Sequence, residues 1–169
     1  MMFDSEIIDY AKCVIEANRH AGLRIVTAES CTGGLVAGVL TEIAGSSDVV
    51  DRGFVTYSNE AKVEALGVHF DLIATFGAVS VAVAWAMAQG ALKRSNADTA
   101  VAITGIAGPG GGSLQKPVGT VVFAVARRDD PGCKIADTKA FGDLGRSGIR
   151  RQAVLCALEL LMPRASGEP

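Results

Sequence analysis

The chain has 169 residues, 49% of them hydrophobic and 20% charged, with a formal net charge of −2. That length fits one domain, and that apolar content fills a core without disulfides or a structural metal. The slightly acidic balance excludes a broad nucleic-acid-binding face, which is normally basic, but leaves open a small anionic ligand held by local donors.

In chain order, Asp4 or Ser5 caps a first helix whose apolar face is Ile7, Ile8, Ala11, Val14 and Ile15. Gly22 stops it. "RIVTA", Arg24 to Ala28, reads as a short strand rich in β-branched residues. A second helix is expected from Cys31 or Thr32, with Leu35, Val39 and Ile43 at i, i+4 and i+8. "RGFVTYS" is a second strand, and "NEAKVEALG" a short helix capped by Asn59 and stopped by Gly67. "GAVSVAVAWAMAQGALKRSNA" predicts one long apolar helix lying flat on a sheet. "TAVAIT" is a central strand by its unbroken apolarity, and "GIAGPGGGSLQKP" is a glycine loop. "VGTVVFAVA" and "IADTKAF" form a hairpin turned by "RRDDPGCK". "IRRQAVLCALELLM" is the closing amphipathic helix, and residues 164–169 are expected to fray. Helices alternating with strands, followed by a hairpin, predict an α/β fold: a three-layer α/β/α sandwich with a mixed β-sheet, as one domain over residues 1–163.

Four cysteines, Cys13, Cys31, Cys133 and Cys156, form no C-x-x-C pair, and only His20 and His69 could join them, so no metal site is expected. His20 is expected to meet the last carbonyls of its helix, and His69 to be solvated in a loop. The N-terminus lacks the basic-then-apolar pattern of an export signal. The best apolar run is too short to cross a bilayer. A cytoplasmic protein without a membrane segment is the expectation, and its long apolar segments leave room for a homo-oligomer.

Three stretches could carry chemistry. "TAESCTGGLVAG" ends a strand, turns and begins a helix. N–H groups at a helix start are unpaired, and glycines let a substrate approach them. The N–H groups of Thr32, Gly33 and Gly34 could therefore hold a phosphate or an oxyanion, with Ser30 as a nucleophile. The same pattern fits a plain N-cap at Ser30 or Thr32. Cys31 is the rival nucleophile, but neither histidine is well placed to serve it as a base. A lysine of lowered pKa can activate a serine instead, and "FVTYSNEAK" supplies Lys62, with Tyr57 as a possible relay. A solvated Lys62 paired with Glu60 or Glu64 fits the spacing equally. "AITGIAGPGGGS" puts Thr104 at a strand end, followed by Gly105 and Gly108, where α/β sheets bind ligands. It matches neither a Walker loop nor G-x-G-x-x-G. "FGDLGRSGIRRQ" adds Arg146 in a loop and Arg150 and Arg151 in a first helical turn, where an anionic ligand or an acidic partner would compensate the charge.

"TAESCTGGLVAG", "IAGSSDVVDRGFVTYSNEAKVEALGV", "GAVS", "TGIAGPGGGSLQKPVGTV" and "RRQA" together resemble the CinA C-terminal domain family, in particular its stand-alone, single-domain amidohydrolases. The resemblance covers nearly the whole chain. It implies a three-layer sandwich and hydrolysis of the carboxamide of nicotinamide mononucleotide by a serine–lysine pair, with no metal or cofactor and no nucleic-acid or membrane partner. The family's nucleophile falls on Ser30, its lysine on Lys62, its tyrosine on Tyr57 and a hydroxyl residue on Thr104. The family arginine directly follows a Gly-Asp pair. "GDLGRSG" carries two extra residues, so the arginine is assigned to Arg146, with Arg150 as the second candidate. A non-catalytic nucleotide-binding module of the same family is the alternative.

Overall fold

The structure, a computed structural model, describes residues 2–132 and 135–164. Cys133 and most of the tail expected to fray, residues 165–169, lie outside that range. Five strands form one sheet in the order β2-β1-β3-β4-β5: β1 (Ile25–Glu29), β2 (Val50–Val55), β3 (Thr99–Gly105), β4 (Thr120–Arg127) and β5 (Ile135–Ala140). β1 runs parallel to β2 and β3, whereas β4 is antiparallel to both β3 and β5. The sheet is therefore mixed, as the order of elements predicts.

Helices cover both faces. α1 (Ser5–Ala21), α2 (Leu35–Thr41) and α6 (Gly145–Leu160) pack on one. α3 (Asn59–Leu66), α4 (Phe70–Phe76) and α5 (Val81–Lys93) pack on the other. The alternation of the strands sorts residues by size. Val101, Ile103, Val121, Phe123 and Val125 face α1, α2 and α6. Ala100, Ala102, Ala124 and Ala126 face α5, whose own contact residues include Ala84, Ala88 and Ala91. Small residues on both sides let α5 lie close to the sheet. The larger side chains opposite carry most of the hydrophobic stabilisation, roughly 1.5–3 kcal/mol for each fully buried Val, Ile or Phe.

α1 starts and stops as its sequence dictates: the Asp4 side chain accepts from the Ile7 N–H, and Gly22 closes it in the left-handed region. A ring nitrogen of His20 lies 2.7 Å from the Glu16 carbonyl. Several boundaries differ from the sequence expectation. α2 begins at Leu35 rather than Cys31 or Thr32, because Cys31–Gly34 form a turn in which the Gly33 N–H goes back to the Ser30 carbonyl and the Gly34 N–H to Glu29. β2 ends at Val55, which leaves Thr56 and Tyr57 beyond the strand. Ser58, not Asn59, caps α3 by accepting from the Ala61 N–H. The long apolar segment starts its helix only after Ser80 caps it, and α4 precedes it where no helix was expected. α6 starts at Gly145, four residues early, so Arg146 lies in its first turn rather than in a loop, and Arg150 and Arg151 lie a turn further on. Arg164, in the segment expected to fray, pairs with Asp130 at 2.8 Å.

Candidate active site

The carboxyl ends of β1, β2 and β3 lie side by side, with the connections after β1 and β2 leaving for opposite faces. Such a switch opens a crevice. A cavity of about 280 Å³ occupies it, lined by Ser30, Cys31, Tyr57, Lys62, Thr104 and Arg146 and by Gly105 and Gly108 of the glycine loop. Asn59, Ala78 and Val79 also line it and were not anticipated.

Ser30 directly follows β1. Its N–H donates to the Ile103 carbonyl at 2.9 Å and its own carbonyl accepts from the Gly33 N–H at 3.0 Å, so its backbone is pinned on both sides. The Ser30 Oγ lies 3.1 Å from Lys62 Nζ. Lys62 is the fourth residue of α3, and helical side chains lean back toward the N-terminus. That lean carries its amine past the start of α3 to the end of β2. There Nζ meets the Thr56 carbonyl at 2.9 Å and the carbonyls of Tyr57 and Ser58 at 3.4 Å each. Lys62 is 1% exposed, and no carboxylate among the described residues pairs with it. The reading of Lys62 as a solvated partner of Glu60 or Glu64 is therefore excluded. Burial lowers its pKa from the usual lysine value, and only the neighbouring Cys31 thiol opposes this.

The cysteine beside the serine is chemically quiet. Burial, foremost, pushes the Cys31 thiol up to about 11, so little thiolate forms near neutrality. Thr104 Oγ donates to the Ala78 carbonyl at 2.9 Å, tying the end of β3 to the approach to α5. Arg146 reaches across the cleft: one terminal nitrogen donates to the Gly108 carbonyl at 3.0 Å and the other to the Tyr57 hydroxyl at 2.8 Å. Its partners are both neutral, and among the described residues no carboxylate lines the cavity. Gly105 and Gly108 are needed for close approach. A Cβ on Gly105 would meet the Val121 side chain at 2.8 Å, and one on Gly108, whose φ is +75°, the Val118 side chain at 2.6 Å.

Thr32, Gly33 and Gly34 do not line the cavity. The Gly34 N–H donates to Glu29 Oε2 at 3.0 Å, and the Gly33 N–H is held by Ser30. Arg150 stands behind this turn and donates to the carbonyls of Cys31 and Thr32 at 3.1 and 3.2 Å. Arg151 meets acidic partners, Asp4 and Glu6 at the start of α1. Of the two candidate arginines, only Arg146 faces the cleft. Among the described residues no three His, Cys, Asp or Glu side chains converge to hold a metal, and no helix is long and apolar enough to cross a membrane.

Fold and site together define a three-layer α/β protein whose crevice holds a buried serine hydroxyl against a desolvated lysine amine. Comparison with known proteins gives that class its family. The CinA C-terminal domain matches residues 8–164. The chain is 52% identical over 161 residues to nicotinamide-nucleotide amidohydrolase PncC of Escherichia coli strain K12, covering 95% of each. It is 55% identical over 147 residues to a CinA-like protein of Mycolicibacterium gilvum, covering 87% of this chain and 34% of that protein. Among solved structures, the competence/damage inducible protein CihA from Agrobacterium tumefaciens superposes with a TM-score of 0.90 at 55% identity, covering 94% of this chain and 95% of that one. This chain belongs to the CinA C-terminal domain family.

Proposed function

We propose that this protein is a nicotinamide-nucleotide amidohydrolase, which converts nicotinamide mononucleotide to nicotinate mononucleotide and ammonia in pyridine nucleotide salvage. The observation that carries the mechanism is the 3.1 Å contact between Ser30 Oγ and a Lys62 amine that is buried without a counter-ion. The E. coli relative's name supports the substrate.

A neutral amine has two N–H donors and one lone pair. The Thr56 carbonyl and one of the two more distant carbonyls take the donors, which leaves the lone pair for the Ser30 hydroxyl proton. Ser30 Oγ attacks the carboxamide carbon as Lys62 takes its proton. Lys62 then gives that proton to the departing nitrogen, ammonia leaves, and an ester to Ser30 remains. Water, deprotonated by Lys62, attacks the ester; the C–O bond breaks, the proton returns to Ser30, and the carboxylic acid product ionises. The pyridinium ring of the substrate is permanently cationic. Bound beside Lys62 it disfavours the ammonium further and draws electrons from the amide carbon.

The oxyanion needs N–H donors that the chain does not use itself. The Cys31 N–H adjoins the nucleophile and, apart from its own thiol sulfur, meets no acceptor among the described residues. It is the first donor for the oxyanion, in place of Gly33 and Gly34. Arg146 and the glycine loop receive the phosphate, since Arg146 is a charged lining residue held only by neutral acceptors. Tyr57 supports Lys62 through its carbonyl and Arg146 through its hydroxyl.

The test is ammonia release from nicotinamide mononucleotide by the purified protein, with free nicotinamide as the control lacking phosphate. Ser30→Ala should lower turnover at least about 1,000-fold, whereas Cys31→Ala should stay within about threefold of the parent. A protein that binds the mononucleotide yet releases no ammonia would be the non-catalytic module instead.

A further inference from the structure

One fully buried ionisable group has no part in the proton transfers: Glu29, the residue before the nucleophile. Its side chain folds forward over the Cys31–Gly34 turn. Oε2 accepts from the N–H groups of Gly34 at 3.0 Å and Val36 at 3.1 Å. Oε1 accepts from the Ala37 N–H at 2.8 Å and from the Thr27 hydroxyl at 3.2 Å. We infer that Glu29 is the positioning residue of the nucleophile: its carboxylate closes the turn that presents Ser30 to Lys62.

Ser30 is held to β3 by its N–H, and the turn after it is closed by the Gly33 N–H on the Ser30 carbonyl. The far end of that turn has no such strand to hold it. Gly33 and Gly34 both have positive φ and carry no side chain to pack. α2 begins without a side-chain cap from Gly34. Glu29 supplies what is missing, joining the end of β1 to the first turn of α2 through three N–H groups. The residue type is specific. All four bonds are accepted by oxygen, three of them from N–H groups that cannot reverse. A glutamine, in either orientation, sets its NH2 against at least one backbone N–H. An aspartate is one methylene short. The same carboxylate occupies the Gly34 N–H, one of the three that the sequence offered to the substrate.

This inference rests on the serine-amidase reading, and its test separates the two. Active serines are counted with a fluorophosphonate, and turnover is expressed per reactive serine. Glu29→Gln should fold, keep KM within about twofold and lose about 100-fold in kcat, the effect of misplacing a reacting atom by about 1 Å. The rate of fluorophosphonate labelling should fall alongside it. Thr27→Val removes one of the four bonds and keeps the strand. It should lower kcat about three- to tenfold at unchanged KM, and it carries the test if Glu29→Gln does not fold. Parent kcat and labelling rate per serine in both variants would overturn the assignment, leaving Glu29 a helix cap only. If the parent protein itself releases no ammonia, the amidase reading fails, and the labelling rates alone still decide whether Glu29 positions Ser30.

Discussion

At the β1–α2 junction the polar groups that matter are N–H donors, and they go to a carboxylate. At the β2–α3 junction they are carbonyls, and they go to an amine. Both segments leave the carboxyl end of a parallel strand, turn and enter a short helix, yet they deliver opposite things to the cleft. Glu29 meets three backbone N–H groups and a hydroxyl. Lys62 meets three carbonyls and Ser30, with only one carbonyl as near as 2.9 Å. The carboxylate is bound into the backbone and fixes geometry. The amine is desolvated, lacks a counter-ion, and is the group whose proton can move.

Replacing the amine gives the largest effect that sharpens this contrast. Lys62→Met should lower turnover at least about 1,000-fold while leaving stability within about 1 kcal/mol of the parent, since a buried amine without a counter-ion adds little. The sign with pH follows from the lowered pKa of Lys62. Below its folded pKa the native state must hold an unfavourable charge. Between that value and 10.5 the unfolded chain binds more protons than the native one, so the parent gains stability as pH rises. The advantage of the methionine variant should therefore be largest at low pH and shrink toward alkaline pH, in urea unfolding curves. Parent turnover should rise with pH through the folded pKa of Lys62. A flat acid limb would break the assignment of the amine as base.

Arg146→Met is next. Loss of a charged donor facing the phosphate should raise KM for the mononucleotide about 10- to 100-fold with a smaller change in kcat. Rate measurements with nicotinamide riboside, which lacks the phosphate, should show almost no difference between variant and parent. Gly90→Ala acts on the β2–α3 side from behind. A Cβ on Gly90 would run into the Leu66 carbonyl at the end of α3. Pushing α3 away should cost about 2 kcal/mol of stability and lower kcat about tenfold as Lys62 retreats from Ser30. An equal loss of stability with parent kcat would show that the seat of α3 does not set the position of the amine.

The two junctions were not equally legible in the sequence. The strands and the main helices follow from alternation and capping, and the α/β/α layering follows from their order. The chemistry of the Ser30 and Lys62 side chains is readable from the residues, but their meeting is implied only by the family resemblance, because 32 residues separate them and only the sheet order joins the ends of β1 and β2. Glu29 was missed because a carboxylate in a strand shows nothing of its four donors. The start of α2 is hidden for the same reason, since the Gly33 and Gly34 N–H groups go to the Ser30 carbonyl and to Glu29. α4 left a weak pattern: it is seven residues long, buries only Ile73, and exposes Phe70 and Phe76. Arg146 was assigned to the cleft through the resemblance but to a loop through its neighbours, because glycines at 145 and 148 disguise the first turn of α6.

Tyr57 gives the smallest effect and the finest division between the two junctions. It is 59% exposed, and its hydroxyl accepts from Arg146 rather than touching Lys62. Its carbonyl, which any residue would supply, is the part that faces the amine, at 3.4 Å. Tyr57→Phe therefore keeps the surroundings of Lys62 and removes one acceptor from Arg146. KM should rise about two- to fivefold, the effect of one modest hydrogen bond, with kcat and its pH profile close to the parent. A fall in kcat as deep as that of Lys62→Met would put the phenol in the proton path to the leaving ammonia. The β2–α3 junction would then supply two proton-handling side chains, and the division between a fixed carboxylate and a single mobile proton would need redrawing around Tyr57.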